Sequence, residues 1–90
     1  MYLVIVTVDT AGPRIPVEKL RQALHASAAD ADRMQHAYLE VGEGRTTLSL
    51  YLHAADQSSA IRLADQLCRR TMASVSATSP WAVVSAQIGL

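Results

Sequence analysis

The residues whose types could do acid–base chemistry gather in one stretch of the chain, His36, Tyr38 and Glu40 followed by Tyr51 and His53. A neutral imidazole beside a phenol and a carboxylate can serve as a general base on a small organic substrate, with its pKa tuned by burial. Either His36 or His53 could be that base, with Tyr38 or Tyr51 orienting an oxygen of the substrate. Two histidines also raise the question of a transition metal. A stable site needs a third ligand, however, and Glu40 falls two same-face positions away from His36 if this segment is extended. The expectation is therefore no metal and no cofactor. The commoner role for such residues is structural: Tyr38 and Tyr51 pack in an interface, and the two histidines hydrogen-bond at its rim.

Other reactive side chains read as ordinary. His25 lies beside Leu24 on an expected helix surface. Cys68 falls in the apolar stripe of a second helix and is expected to be a core thiol, because reactive cysteines require exposure and a lowered pKa. Arg62, Arg69 and Arg70 make a solvated helix face diluted by Asp65. Gly42-Glu43-Gly44 precedes no helix N-terminus and no Lys-Ser/Thr pair, so it is a hairpin turn rather than a phosphate loop. Trp81, the only tryptophan, is a candidate interface anchor.

The elements that must position these groups follow from spacing and punctuation. Tyr2 to Asp9 is rich in Val and Ile and ends at Ala11-Gly12-Pro13, the pattern of a strand. A helix is expected from Pro16 to Ala29. Pro16 suits its first turn and Glu18 the positive end of its dipole, and Val17, Leu20, Leu24 and Ala28 share one face. Ala29 to Gln35 reads as a connection. His36 to Val41 and Thr46 to His53 then alternate around the glycine turn as a hairpin.

Placing Ala37, Leu39 and Val41 on the same side as Leu48, Leu50 and Leu52 requires an even loop or a bulge. Of the registers that satisfy this, the expected one puts Leu39 opposite Leu48, Tyr38 opposite Ser49 and His36 opposite Tyr51, with His53 diagonal to His36. Asp56 or Ser58 can cap a second helix running to Ser74, with Ile61, Ala64, Leu67, Cys68, Thr71, Met72 and Val75 as its stripe. After a Ser/Thr-rich loop over 76–79, Pro80 leads into a last strand, Trp81 to Ile88.

The order strand, helix, strand, strand, helix, strand is that of the ferredoxin-like βαββαβ sandwich, an α+β fold with a four-stranded antiparallel sheet and two helices on one face. The usual spatial order, 4-1-3-2, makes the first and third strands central and leaves the second sheet face uncovered. If Val4, Val6, Val8, Val84 and Ala86 face the helices, then Leu3, Ile5 and Val83 join Trp81, Tyr38, Glu40 and Tyr51 on the open face. A contiguous apolar patch of that kind wants a cover.

Bulk composition bounds the partners. The 90 residues are expected to form one domain; half are hydrophobic, enough for a real core, and the net charge is zero. A neutral balance argues against nucleic acid, which needs a concentrated basic surface. The first apolar run is too short for a signal or membrane segment. A single Cys excludes an intrachain disulfide framework, so the expected location is cytoplasmic. Arg far outnumbers Lys and Ala is frequent, the usage of a GC-rich bacterial gene.

The topology is similar to that of the dimeric α+β barrel group, over nearly the whole chain and at the level of fold. That group includes cofactor-independent oxygenases and cyclases acting on polyketide-like aromatics, and many non-enzymatic binding or regulatory domains. The resemblance implies a homodimer more than a reaction. The expectation is a small non-catalytic binding or accessory domain whose open sheet face takes a second copy, a partner protein or a small hydrophobic ligand. The alternative is a cofactor-independent enzyme working through His36 or His53.

Overall fold

The computed structural model describes residues 1–12, 14–28, 34–76 and 80–89. Its elements run β1 (Tyr2–Thr10), α1 (Val17–Ser27), β2 (Met34–Val41), β3 (Arg45–Leu52), α2 (Gln57–Val75) and β4 (Trp81–Ile88). This is an α+β fold. Most of the expected connection before β2, residues 29–33, and most of the expected loop before β4, residues 77–79, lie outside the described residues.

The four strands form one sheet in the order β2-β3-β1-β4, with every neighbouring pair antiparallel. Read from the opposite edge the order is β4-β1-β3-β2, so β1 and β3 are central. Strand alternation divides the sheet into two unlike faces. On one, Val4, Val6 and Val8 of β1 lie beside Leu50, Leu48 and Thr46 of β3, and Ala37 and Leu39 of β2 extend the same side. Val4, Val6, Val8, Leu48 and Leu50 are wholly excluded from solvent. Burying each such side chain contributes about 1.5–3 kcal/mol, so this face is where the fold is held together.

Both helices cover that face. Leu20 and Leu24 of α1 and Ala60, Ala64, Leu67, Cys68 and Met72 of α2 join the sheet residues in one core cluster. The buried Thr71 hydroxyl donates to the Leu67 carbonyl at 2.9 Å, which removes the penalty of an unpaired polar group among them. Ala60, absent from the stripe expected for α2, is fully buried: it lies one turn before Ala64 where the helix crosses the sheet, and a small side chain fits there.

Helix ends follow local chemistry. Asp56 caps α2 by accepting the Ser59 backbone N–H at 2.8 Å, and Arg69 pairs with Asp65 one turn along the exposed side at 2.9 Å. Pro16 stands at the cap of α1 rather than inside its first turn; its extended backbone (ψ 133°) leaves its carbonyl free to accept the Leu20 N–H at 3.1 Å. Val17 is consequently exposed, at the margin of the face it was expected to share. In the turn between β2 and β3 the Gly42 N–H donates to Arg45 at 2.8 Å, and Gly44 takes a positive φ of 72° that favours glycine.

Candidate functional site

The hairpin pairs Leu39 with Leu48, Tyr38 with Ser49 and His36 with Tyr51, the register expected from its alternation. With the apolar residues drawn to the helices, His36, Tyr38 and Glu40 of β2 and Tyr51, Ser49, Thr47 and Arg45 of β3 share the second face. On β1, Leu3 lies beside Tyr51, Ile5 beside Ser49, Thr7 beside Thr47 and Asp9 beside Arg45. Neither helix covers these residues: Tyr38 is 66% exposed and Tyr51 37%. The His36 and Tyr51 rings meet across the strands with centroids 6.0 Å apart and planes tilted by 47°.

These positions sort along the strands. One end of the face carries the bulk, His36, Tyr51 and Leu3, followed by Tyr38 and Ile5. The other carries short polar side chains, Thr47, Thr7 and Ser85, beside Glu40. Beyond them Arg45 Nη2 pairs with Asp9 Oδ1 at 2.9 Å and ties the end of β1 to the hairpin turn. That pair is exposed and adds at most about 1 kcal/mol.

Two expected members of this face, Trp81 and Val83, lie on the other side of the sheet. Thr7 pairs with Ser85, but Val8 pairs with Val83 and Thr10 with Trp81, because a bulge interrupts the β1–β4 ladder between Thr7 and Val8. One extra residue reverses the in/out alternation before it. Val83 and Trp81 therefore pack against the helix-covered core, while Val84, expected inside, is 52% exposed. Ala86 and Ile88, beyond the bulge, pack against the core.

His53 is also displaced from its expected role. β3 ends at Leu52, so His53 begins the exposed turn into α2. A second bulge, between Met34 and His36, ends the regular hairpin on the facing strand and returns Met34 to the core side opposite Leu52. Among the described residues His53 makes no hydrogen bond or ring contact with His36. Gly89 was missed as a member of the open face. Its N–H donates to the Leu3 carbonyl at 2.8 Å, and a Cβ there would stand 2.8 Å from Leu3 Cδ2 and 2.9 Å from Ile5 Cδ1. The two aliphatic side chains lean across this glycine and are thereby half-buried. A glycine directly after a strand beside an aliphatic pair was the available signal.

Elsewhere, a shallow groove of about 280 Å³ lies at the far end of β1 and β4, lined by Asp9, Thr10, Ala11, Pro80, Trp81 and Ala82. It contains neither His36 nor His53. The Cys68 thiol is buried in the core, and burial, with Asp65 nearby, pushes its pKa up to about 12; a thiol held protonated is not a nucleophile. Among the described residues no three His, Cys, Asp or Glu side chains gather to hold a metal, and no helix is long and apolar enough to cross a membrane. No protein-family model matches the chain, and a search of curated proteins gives no significant match.

Proposed function

We propose that this chain is a ferredoxin-like binding domain without chemistry of its own, which works through the uncovered face of its sheet and takes a second copy of itself there. The observation that carries the reading is the placing of Tyr38 and Tyr51, with Leu3 and Ile5 beside them at one end of the strands, on a face that no helix shields. Large aromatic groups exposed on a sheet lose little conformational entropy when covered and contribute much apolar area. The element order together with the β4-β1-β3-β2 arrangement supports the ferredoxin-like assignment. The neutral charge and single buried thiol suit a cytoplasmic accessory protein better than a partner of nucleic acid or of an anionic surface.

An oxygenase- or cyclase-like reading needs His36 or His53 inside an enclosed cavity. Both are exposed in the single chain, and the described groove lies elsewhere. The binding reading asks less of the same residues.

Light scattering over a wide concentration range tests it. The expected result is a dimer for the natural chain and a monomer of unchanged circular dichroism for Tyr38→Glu, because a carboxylate on the face that the second copy covers would be desolvated without a partner. A natural chain that stays monomeric at every concentration would overturn the homodimer. Partner capture or binding of a small apolar ligand would then identify a different occupant.

A further inference from the structure

The bulk of the open face is unevenly placed, and this restricts how a second copy can sit on it. Its residues form cross-strand rows: His36, Tyr51 and Leu3; then Tyr38, Ser49, Ile5 and Gln87; then Glu40, Thr47, Thr7 and Ser85. The first row is tall, the third short. Stacked sheets keep a separation of about 10 Å, with side chains from the two faces interdigitating. Tall rows laid on tall rows would hold the sheets apart at one end and leave a void at the other.

Hydrogen-bonding groups have the same antisymmetry. On β2 the imidazole of His36 and the carboxylate of Glu40 stand equally far on either side of Tyr38. A two-fold axis along the Tyr38–Ser49–Ile5 row would bring the two β2 strands together antiparallel. Tyr38 then meets Tyr38 of the other copy, Tyr51 and Leu3 settle over the small Thr47 and Thr7, and His36 meets Glu40 in both directions. Such reciprocity is what an isologous interface requires.

Resting on the proposed role of the open face, we infer that the second copy docks about this axis, with the dimer's register set by two symmetry-related His36–Glu40 contacts and by tall side chains seated on threonines. Area permits it. Four strands of eight or nine residues present a face of roughly 500 Å² per copy, which brings the total to the ~1,000 Å² lower bound of a specific interface.

Exchanging the two residues tests the inference, with the dimer dissociation constant measured by sedimentation at neutral pH. His36→Glu should weaken the dimer by about tenfold or more by setting two carboxylates together, and Glu40→His should weaken it less. The double variant His36→Glu/Glu40→His should return to within about threefold of the natural chain, since each contact is restored in reverse. Both positions are exposed in the single chain, so circular dichroism should be unchanged throughout. A double variant no tighter than the weaker single variant, or single variants without effect, would overturn this axis. If Tyr38→Glu still dissociates the dimer in that case, the open-face reading survives and only the docking geometry fails; a monomeric natural chain overturns both.

Discussion

The two faces of this sheet are built from the same four strands and differ in what covers them. On the covered face the alternating positions are Val4, Val6, Val8, Leu48, Leu50 and Leu52, all without solvent contact under α1 and α2. On the other, the residues one position along are Leu3, Ile5, Tyr51, Tyr38 and His36, then threonine and serine. Apart from Thr46, the first face is aliphatic on these strands and specifies a folded chain. The second mixes aromatic, ionisable and short polar groups, a composition that suits the docking role proposed for it. The core and the proposed docking face are thus separated by a single step along each strand.

That separation can be broken from the covered side first. Leu50→Ala should cost about 2–5 kcal/mol of unfolding free energy in a denaturant titration, since the cavity lies between β1, β3 and the helices. The same variant should speed labelling of Cys68 by a thiol reagent by at least about thirtyfold, because the thiol reacts only when the core opens. Labelling at the rate of a free thiol in the natural chain would contradict the buried placement.

A smaller effect of opposite sign is expected at Thr46. It is buried on the covered face opposite Val8, and its hydroxyl has no hydrogen-bond partner among the described residues. Thr46→Val keeps the shape and removes the unpaired group, so it should raise stability by about 1 kcal/mol in the same titration. A loss would show that the hydroxyl is paired after all.

Acid sensitivity should arise outside both faces. The Ser59 backbone N–H, and then the Ser59 hydroxyl, hold the Asp56 carboxyl below its ordinary pKa of 3.8. A pKa depressed in the folded chain stabilises it fully above the unfolded value and loses that contribution as pH falls through the folded value. Thermal melting of the natural chain should therefore fall more steeply below about pH 4 than that of Asp56→Asn, which caps the helix without titrating. The smallest effect belongs to the open face. In solution dilute enough for single chains, Tyr38→Glu should change unfolding free energy by no more than about 0.5 kcal/mol, although it abolishes association. A large loss of monomer stability there would mean that the two faces are not separate after all.

The contrast between the two strand pairings shows how much of this was legible beforehand. The β2–β3 hairpin could be read residue by residue. Its turn is local, and the alternation of Leu39 and Leu48 restricts the register to a few that bury both, of which the structure has the expected one. The β1–β4 pairing could not be read the same way. Val83 and Val84 are identical side chains in sequence, and the bulge that turns Val83 inward and Val84 outward depends on how a distant strand lies against β1. His53 illustrates the same limit, since where β3 gives way to the turn decides whether it reaches His36.

By itself, then, the order of apolar and polar residues determined the six elements, the parity of the hairpin register and the fate of Cys68, and narrowed the α2 cap to Asp56 or Ser58. Each of these rests on periodicity or on groups a few residues apart, and such short-range preferences act before the chain is packed. Tertiary structure alone decided that Trp81 supports the core instead of anchoring the open face, that Gly89 makes room for Leu3 and Ile5, and that the exposed bulk is confined to one end of the sheet. Those outcomes depend on non-local strand pairing, where one inserted residue reverses every side chain beyond it.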